Sequence, residues 1–136
     1  MLVNETKLRV QYYETDQMGV VHHSNYIRYF ETGRTELMRH IGLSYTDLEK
    51  SGIVMPIANV EAQFFYPAHY DDIICIKSYI KEIPKARVTF YYEVYNEQGK
   101  LLAEGSTTSA FVNKATGRPQ RAPERMIQTL SEHFNK

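Results

Sequence analysis

The chain has 136 residues, with 16 Lys plus Arg balanced by 16 Asp plus Glu, and is 43% hydrophobic. That length fits one domain, residues 1–136, with a core of its own. The charge balance argues against a nucleic-acid binder that works by broad phosphate neutralisation, and no run approaches the roughly 18–20 apolar residues of a membrane helix. The one cysteine, Cys75, allows no intrachain disulfide and suits a reducing cytoplasm, the expected location. The opening MLVNETKLRV is charged early and does not read as a signal peptide.

Lys7–Tyr13 alternates and reads as a first strand, after which Glu14–His23 reads as a loop. Ser24 or Asn25 then caps a helix that runs to about His40. Tyr26, Phe30, Gly33, Leu37 and Ile41 recur at three- and four-residue spacing and give it one apolar face. A glycine inside that face costs roughly 1 kcal/mol against alanine, so Gly33 makes sense if the helix backbone lies very close to a sheet. Gly42 is placed to stop the helix. A short helical turn is expected at Thr46–Lys50, between Ser44 or Thr46 and Gly52.

Beyond that point the period changes from 3.6 to 2. Val54–Tyr66, Asp72–Ile83, Arg87–Asn96 and Leu101–Asn113 read as strands, broken by Pro67, Pro84 and the Asn96–Gly99 turn. Short connections favour an antiparallel meander. Pro123 suits a first helical position, and Met126, Ile127, Leu130 and Phe134 give a last helix its apolar side. One long helix and about five antiparallel strands predict an α+β architecture in which the sheet wraps the helix. A single helix cannot cover both faces of such a sheet, so a second copy of the chain is expected against it.

The concentrated chemical signal is Thr15-Asp16-Gln17-Met18-Gly19-Val20-Val21-His22-His23-Ser24-Asn25-Tyr26. A carboxylate stands three residues before a glycine, and the glycine stands about five before a helix start. Free N–H groups at a helix start can hold a developing oxyanion, and a nearby Asp can attack a carbonyl or deprotonate water. The same spacing also fits an ordinary cap or turn.

The stretch Tyr12–Gly42, YYETDQMGVVHHSNYIRYFETGRTELMRHIG, resembles the signature of the hydroxybenzoyl-CoA thioesterase family, nearest to its YbgC-type acyl-CoA thioesterase branch. The pattern is D-x-x-G-x-V, one or two aromatic or His positions, then N-Y opening the long helix. Glu61-Ala62-Gln63-Phe64 through Pro67, and Tyr70-Asp71-Asp72, resemble the strands that follow. The resemblance implies a hot-dog fold and hydrolysis of an acyl-CoA thioester, with coenzyme A as the leaving half of the substrate and no cofactor. It implies Asp16 as nucleophile or general base, Gly19 shaping the loop, and backbone N–H near His23 as oxyanion hole. Val21, Asn25, Tyr26, Lys85 and Arg87 are the expected substrate-binding residues, the last two toward the phosphates of coenzyme A. It further implies active sites at a subunit interface, in a homodimer or homotetramer. Acyl carrier protein is an alternative partner. A hot-dog dehydratase or hydratase, and a non-catalytic acyl-CoA or acyl-carrier-protein binding module, are the competing readings.

Other candidates carry less. A side-chain role for His23 is weighed against a backbone role alone. His22 should point elsewhere and be structural, and adjacent His side chains should diverge, so no zinc site is expected. Cys75, in Ile73-Ile74-Cys75-Ile76, should be buried and inert. Ser24 lacks a G-x-S-x-G context. Glu31 and Arg34 stand one turn apart and read as an ion pair. Tyr70-Asp71-Asp72 reads as turn chemistry. The hairpin bearing Lys85 and Arg87 also suits a solvated tip.

Overall fold

The computed structural model describes residues 1–135. Strand β1 (Leu2–Arg9) leads through a 3-10 turn, Tyr12–Glu14, and a loop into helix α1 (Asn25–His40). A short helix α2 (Tyr45–Lys50) follows, with the Ser44 hydroxyl accepting the Asp47 N–H at 3.2 Å. Then come β2 (Ile53–Val54), β3 (Ile57–Phe64), β4 (Ile73–Ile80), β5 (Arg87–Tyr95), β6 (Leu101–Asn113), β7 (Pro119–Gln120) and helix α3 (Glu124–Phe134).

The main sheet is antiparallel, in the order β1-β4-β5-β6-β3. The expected meander therefore holds only for β4-β5-β6, because β3 pairs with β6 and the chain crosses to the other side of the sheet to make β4. The expected first strand also moves. It begins at Leu2, paired to Ile80, and ends at Arg9. Tyr12–Glu14 leaves the ladder because the Gln11 N–H is taken by the Glu14 carboxylate at 2.7 Å. The expected strand Val54–Tyr66 divides at Pro56, which supplies no N–H.

Alternation along β4 and β5 is strict. Ile74, Ile76, Ile80, Val88, Phe90 and Val94 are buried under α1, while the intervening residues face outward and are partly covered. Phe30 stacks on Tyr92 with ring centres 4.5 Å apart. Gly33 is the point of closest approach. A Cβ there would lie 2.8 Å from Ile76 Cγ2 and nearer still to Ser78 Oγ. Met126 and Leu130 of α3 complete the core, with Ile127 and Phe134 packed against it.

Strand β3, at the edge of the sheet, is almost wholly exposed, with Ile57, Val60 and Phe64 all more than a third exposed. Glu31 and Arg34 are not an ion pair among the described residues. Arg34 turns inward, is buried, and donates to the Tyr92 hydroxyl at 3.3 Å, while Glu31 stays exposed.

Candidate active site

The loop between β1 and α1 is held by Glu14 and Asn25. The Glu14 carbonyl accepts the His22 N–H at 2.9 Å and the Asn25 side-chain amide at 2.8 Å. Asn25 also donates to the His22 carbonyl at 3.3 Å. The Glu14 carboxylate accepts the Tyr29 hydroxyl at 3.1 Å. Burial, then the adjacent Glu14 charge, pushes the Tyr29 phenol far above its ordinary range. Sequence reasoning missed Glu14, although Gln11-x-x-Glu14 has the spacing of a capping box.

From this clamp Asp16 projects into solvent at the head of a tight turn. Its N–H donates to the Val20 carbonyl at 2.8 Å, and its Oδ1 accepts the Met18 N–H at 2.8 Å and the Val20 N–H at 3.4 Å. Gly19 closes the turn at φ +78°, a backbone conformation costly for a side chain. Single β-bridges from Thr15 to Val21 and from Val20 to His69 fix the turn to the sheet.

Helix α1 begins without the expected side-chain cap. The Ser24 hydroxyl instead meets His22 Nδ1 at 2.9 Å, and the Ser24 N–H donates to the same nitrogen at 3.3 Å. Nδ1 thus acts as an acceptor, which leaves the ring proton of neutral His22 on Nε2. The two imidazoles do not diverge as expected. Their centres are 4.2 Å apart at a tilt of 30°, because the loop turns into the helix at this point. No group of three or more metal-ligating side chains occurs among the described residues. The Asn25 and Tyr26 N–H groups bond to the His22 and His23 carbonyls at 3.0 and 3.2 Å. Among the described residues, the His23 N–H has no protein acceptor.

Phe64, at the end of β3, lies against this helix start, 5.2 Å from the Tyr26 ring and 6.3 Å from the His23 ring, and is half exposed. Its contribution depends on the β3–β6 pairing, which local pattern does not reveal. Asp16, Gly19 and His23 lie on one loop and are all exposed. Val21, Asn25 and Tyr26 are buried in this chain and fasten the loop and helix to the sheet. Lys85 and Arg87 stand elsewhere. The loop adjoins the Ile73 end of β4, whereas the basic hairpin follows its Ile80 end, so the strand separates them by about 26 Å.

Cys75 departs from expectation. It lies on the outer face, opposite Lys7 and Tyr95, and is only partly buried. Desolvation, then the Glu5 charge, pushes its thiol up, the wrong direction for a nucleophile. Tyr70-Asp71-Asp72 is turn structure, with Asp71 at φ +70° and Asp72 accepting the His69 N–H at 2.9 Å.

A long helix cradled by an antiparallel sheet is the architecture of the hot-dog thioesterases. Residues 10–130 match the family model described as the Thioesterase-like superfamily, and the chain belongs to that family. It is 31% identical to the acyl-CoA thioesterase YbgC of Helicobacter pylori, over 92% of this chain and 98% of that one. Among solved structures, the DHNA-CoA thioesterase of Staphylococcus aureus superposes with a TM-score of 0.89 at 30% identity, covering 99% of this chain and 90% of that one. A hypothetical protein from Thermus thermophilus superposes at 0.88 with 35% identity, covering 94% and 97%. The protein is accordingly a thioester hydrolase. No described helix is long and apolar enough to cross a membrane.

Proposed function

We propose that the protein hydrolyses acyl-CoA thioesters to the free acid and coenzyme A, with Asp16 doing the chemistry and the His23 N–H holding the oxyanion. The observation that carries this reading is an exposed Asp16 carboxylate on a clamped loop that runs into a helix start with an unpartnered His23 amide. Asp16 acts in one of two ways. As nucleophile it adds to the thioester carbonyl and expels the thiolate, leaving a mixed anhydride that water cleaves. As general base it takes a proton from the water that adds. Either way the carbonyl oxygen gains negative charge, and a preorganised N–H stabilises it. The thiolate is a good leaving group, so no strong acid and no cofactor are needed. No described carboxylate of α1 bonds to His22 or His23, the arrangement a hydratase would use.

The reading includes a second copy. An exposed edge such as β3 tends to pair with another strand, and antiparallel pairing of two β3 edges is a two-fold contact. It would carry the partner's basic hairpin to the end of the sheet where Asp16 lies. Lys85 and Arg87 would then meet the phosphates of a coenzyme A bound between subunits. The single unpaired thiol suits a cytoplasmic site of action.

Asp16→Asn tests the mechanism. Asn keeps an oxygen for the Met18 and Val20 N–H groups, so the turn survives while the charge is lost. Coenzyme A release should fall at least ~10²-fold in kcat with little change in KM, with circular dichroism unchanged. Near-normal turnover in the folded variant would overturn the assignment.

A further inference from the structure

Residues 14–16 and 20–22 form a small hairpin turned by Gly19. The Asp16 N–H bonds to the Val20 carbonyl at 2.8 Å, Thr15 bridges Val21, and the His22 N–H bonds to the Glu14 carbonyl at 2.9 Å. Asp16 rides on this hairpin, while the His23 N–H belongs to the start of α1. The proposed chemistry needs the carboxylate at the thioester carbon and the amide at its oxygen. The angle between hairpin and helix therefore sets the reaction geometry.

Glu14 stands where hairpin and helix meet, and it accepts four hydrogen bonds there. Its carbonyl takes the His22 N–H and, at 2.8 Å, the side-chain amide of Asn25, the first residue of α1. Its carboxylate Oε1 takes the Gln11 N–H at 2.7 Å and, from the next turn of α1, the Tyr29 hydroxyl at 3.1 Å. Tyr29 is 2% exposed. Burial, then the Glu14 charge, holds its proton far above the ordinary range, so its hydroxyl is a donor at neutral pH.

This arrangement is costly. Glu14 is 8% exposed and makes no ion pair among the described residues. A buried carboxylate without a cation destabilises a fold. The turn at Tyr12–Glu14 could be capped by an exposed polar side chain, and a phenylalanine would fill the space of the Tyr29 ring. What the buried pair adds is a rigid link from the hairpin to the second turn of the helix.

We infer that Glu14 is a positioning residue for the hydrolysis: through Asn25 and Tyr29 it fixes the Asp16 hairpin against the start of α1, and so holds carboxylate and oxyanion amide to one thioester. It touches neither substrate nor reacting atoms and acts through Asp16 and the His23 N–H. This role rests on the reading that Asp16 does the chemistry. A misplacement of about 1 Å costs on the order of 10²-fold in rate, and a group that aligns the chemistry without binding substrate affects kcat and not KM.

Coenzyme A release from benzoyl-CoA and hexanoyl-CoA, followed well below the unfolding midpoint with circular dichroism to establish folding, gives kcat and KM for the test. Glu14→Ala should lower kcat by on the order of 10–10²-fold and leave KM within about twofold. Glu14→Gln keeps a carbonyl oxygen in the place of Oε1 and should recover most of kcat. Tyr29→Phe cuts the link to the helix while keeping the ring, and should lower kcat by less than Glu14→Ala does. Added to Asp16→Asn, Glu14→Ala should cost little more, since the group it positions is gone. A merely structural Glu14 would lower the thermal midpoint and leave kcat at the wild-type value in the folded variant, and that result overturns the inference. So does a loss carried by KM, an undiminished cost of Glu14→Ala in the Asp16→Asn background, or a Glu14→Gln as slow as Glu14→Ala, which would make the charge and not the hydrogen bonds responsible. Should Glu14→Ala fail to fold, Tyr29→Phe decides, and wild-type kcat there overturns the inference. Asp16→Asn alone separates the two readings. Turnover kept there removes the catalytic assignment and this role with it. Turnover lost there, with wild-type kcat in Glu14→Ala and Tyr29→Phe, removes this role alone.

Discussion

Replacing Gly33 with Ala tests how the helix is seated, and its sign is not the one helix propensity suggests. In an exposed helix the change would stabilise by about 1 kcal/mol. Here the added methyl would lie 2.8 Å from Ile76 Cγ2 and nearer to Ser78 Oγ. Ile76 is fully buried and its branched methyl cannot rotate away. Overpacking of a tight core costs about 1–3 kcal/mol, which against that gain leaves a net loss of up to about 2 kcal/mol. At roughly 3–5 °C per kcal/mol for a domain this size, the thermal midpoint should fall by up to about 10 °C. Ser78→Ala supplies an internal check. Its Oγ is buried without a hydrogen-bond partner, so its loss should be neutral or stabilising. Gly33→Ala should then cost less in that background, a non-additivity expected of touching residues. Scanning calorimetry of the two singles and the double measures this. A midpoint for Gly33→Ala at or above the wild type would refute the close approach. The same cost in both backgrounds would show that Ser78 is not what the methyl meets.

Burial raises the phenols of Tyr26, Tyr29, Tyr45 and Tyr92 above their ordinary value. Below about pH 10 both folded and unfolded chains keep these protons. Above it the unfolded chain loses protons that the folded chain retains, so stability should fall with rising pH. Urea midpoints should therefore be insensitive to these groups near neutrality and decline beyond about pH 10, and a flat profile to pH 11.5 would contradict their burial. Val60→Asp, which places a charge on the exposed β3 edge, should reduce assembly mass and coenzyme A release together, because the proposed site needs the partner's hairpin. Retained turnover in a dissociated form would show that one chain suffices. Replacing both Lys85 and Arg87 with Ala should raise KM with kcat little changed, more at low salt than at high. An unchanged KM at low salt would make the hairpin a plain solvated tip.

Much of the fold was legible because its residues obey local rules. The apolar spacing from Tyr26 to Ile41 found α1, and Gly33 within it foretold the close packing on Ile76 and Ser78. Val88, Phe90, Tyr92 and Val94 alternate cleanly because one face of β5 is fully buried. The errors arose where a tertiary demand replaced a local one. Tyr12 and Tyr13 look like strand residues, yet the Glu14 carboxylate draws them into a turn. Arg34 looks like half of an i,i+3 pair with Glu31, yet its guanidinium is spent on Tyr92 inside the core. Cys75 stands in an apolar run, yet strand parity puts it on the outer face between two buried isoleucines.

The sequence by itself determined where the turn and the helix start fall, since Asp16, Gly19 and the first turn of α1 are neighbours along the chain and need only turn rules and a helix start. It also determined which side of each strand is apolar, because that is a matter of period. Only the tertiary structure decided that β3 pairs with β6. That pairing brings Phe64 to the helix start and leaves β3 open as an edge. Strand order is a long-range property. It follows from which edges remain free once the core is filled, and no local spacing in the sequence records it.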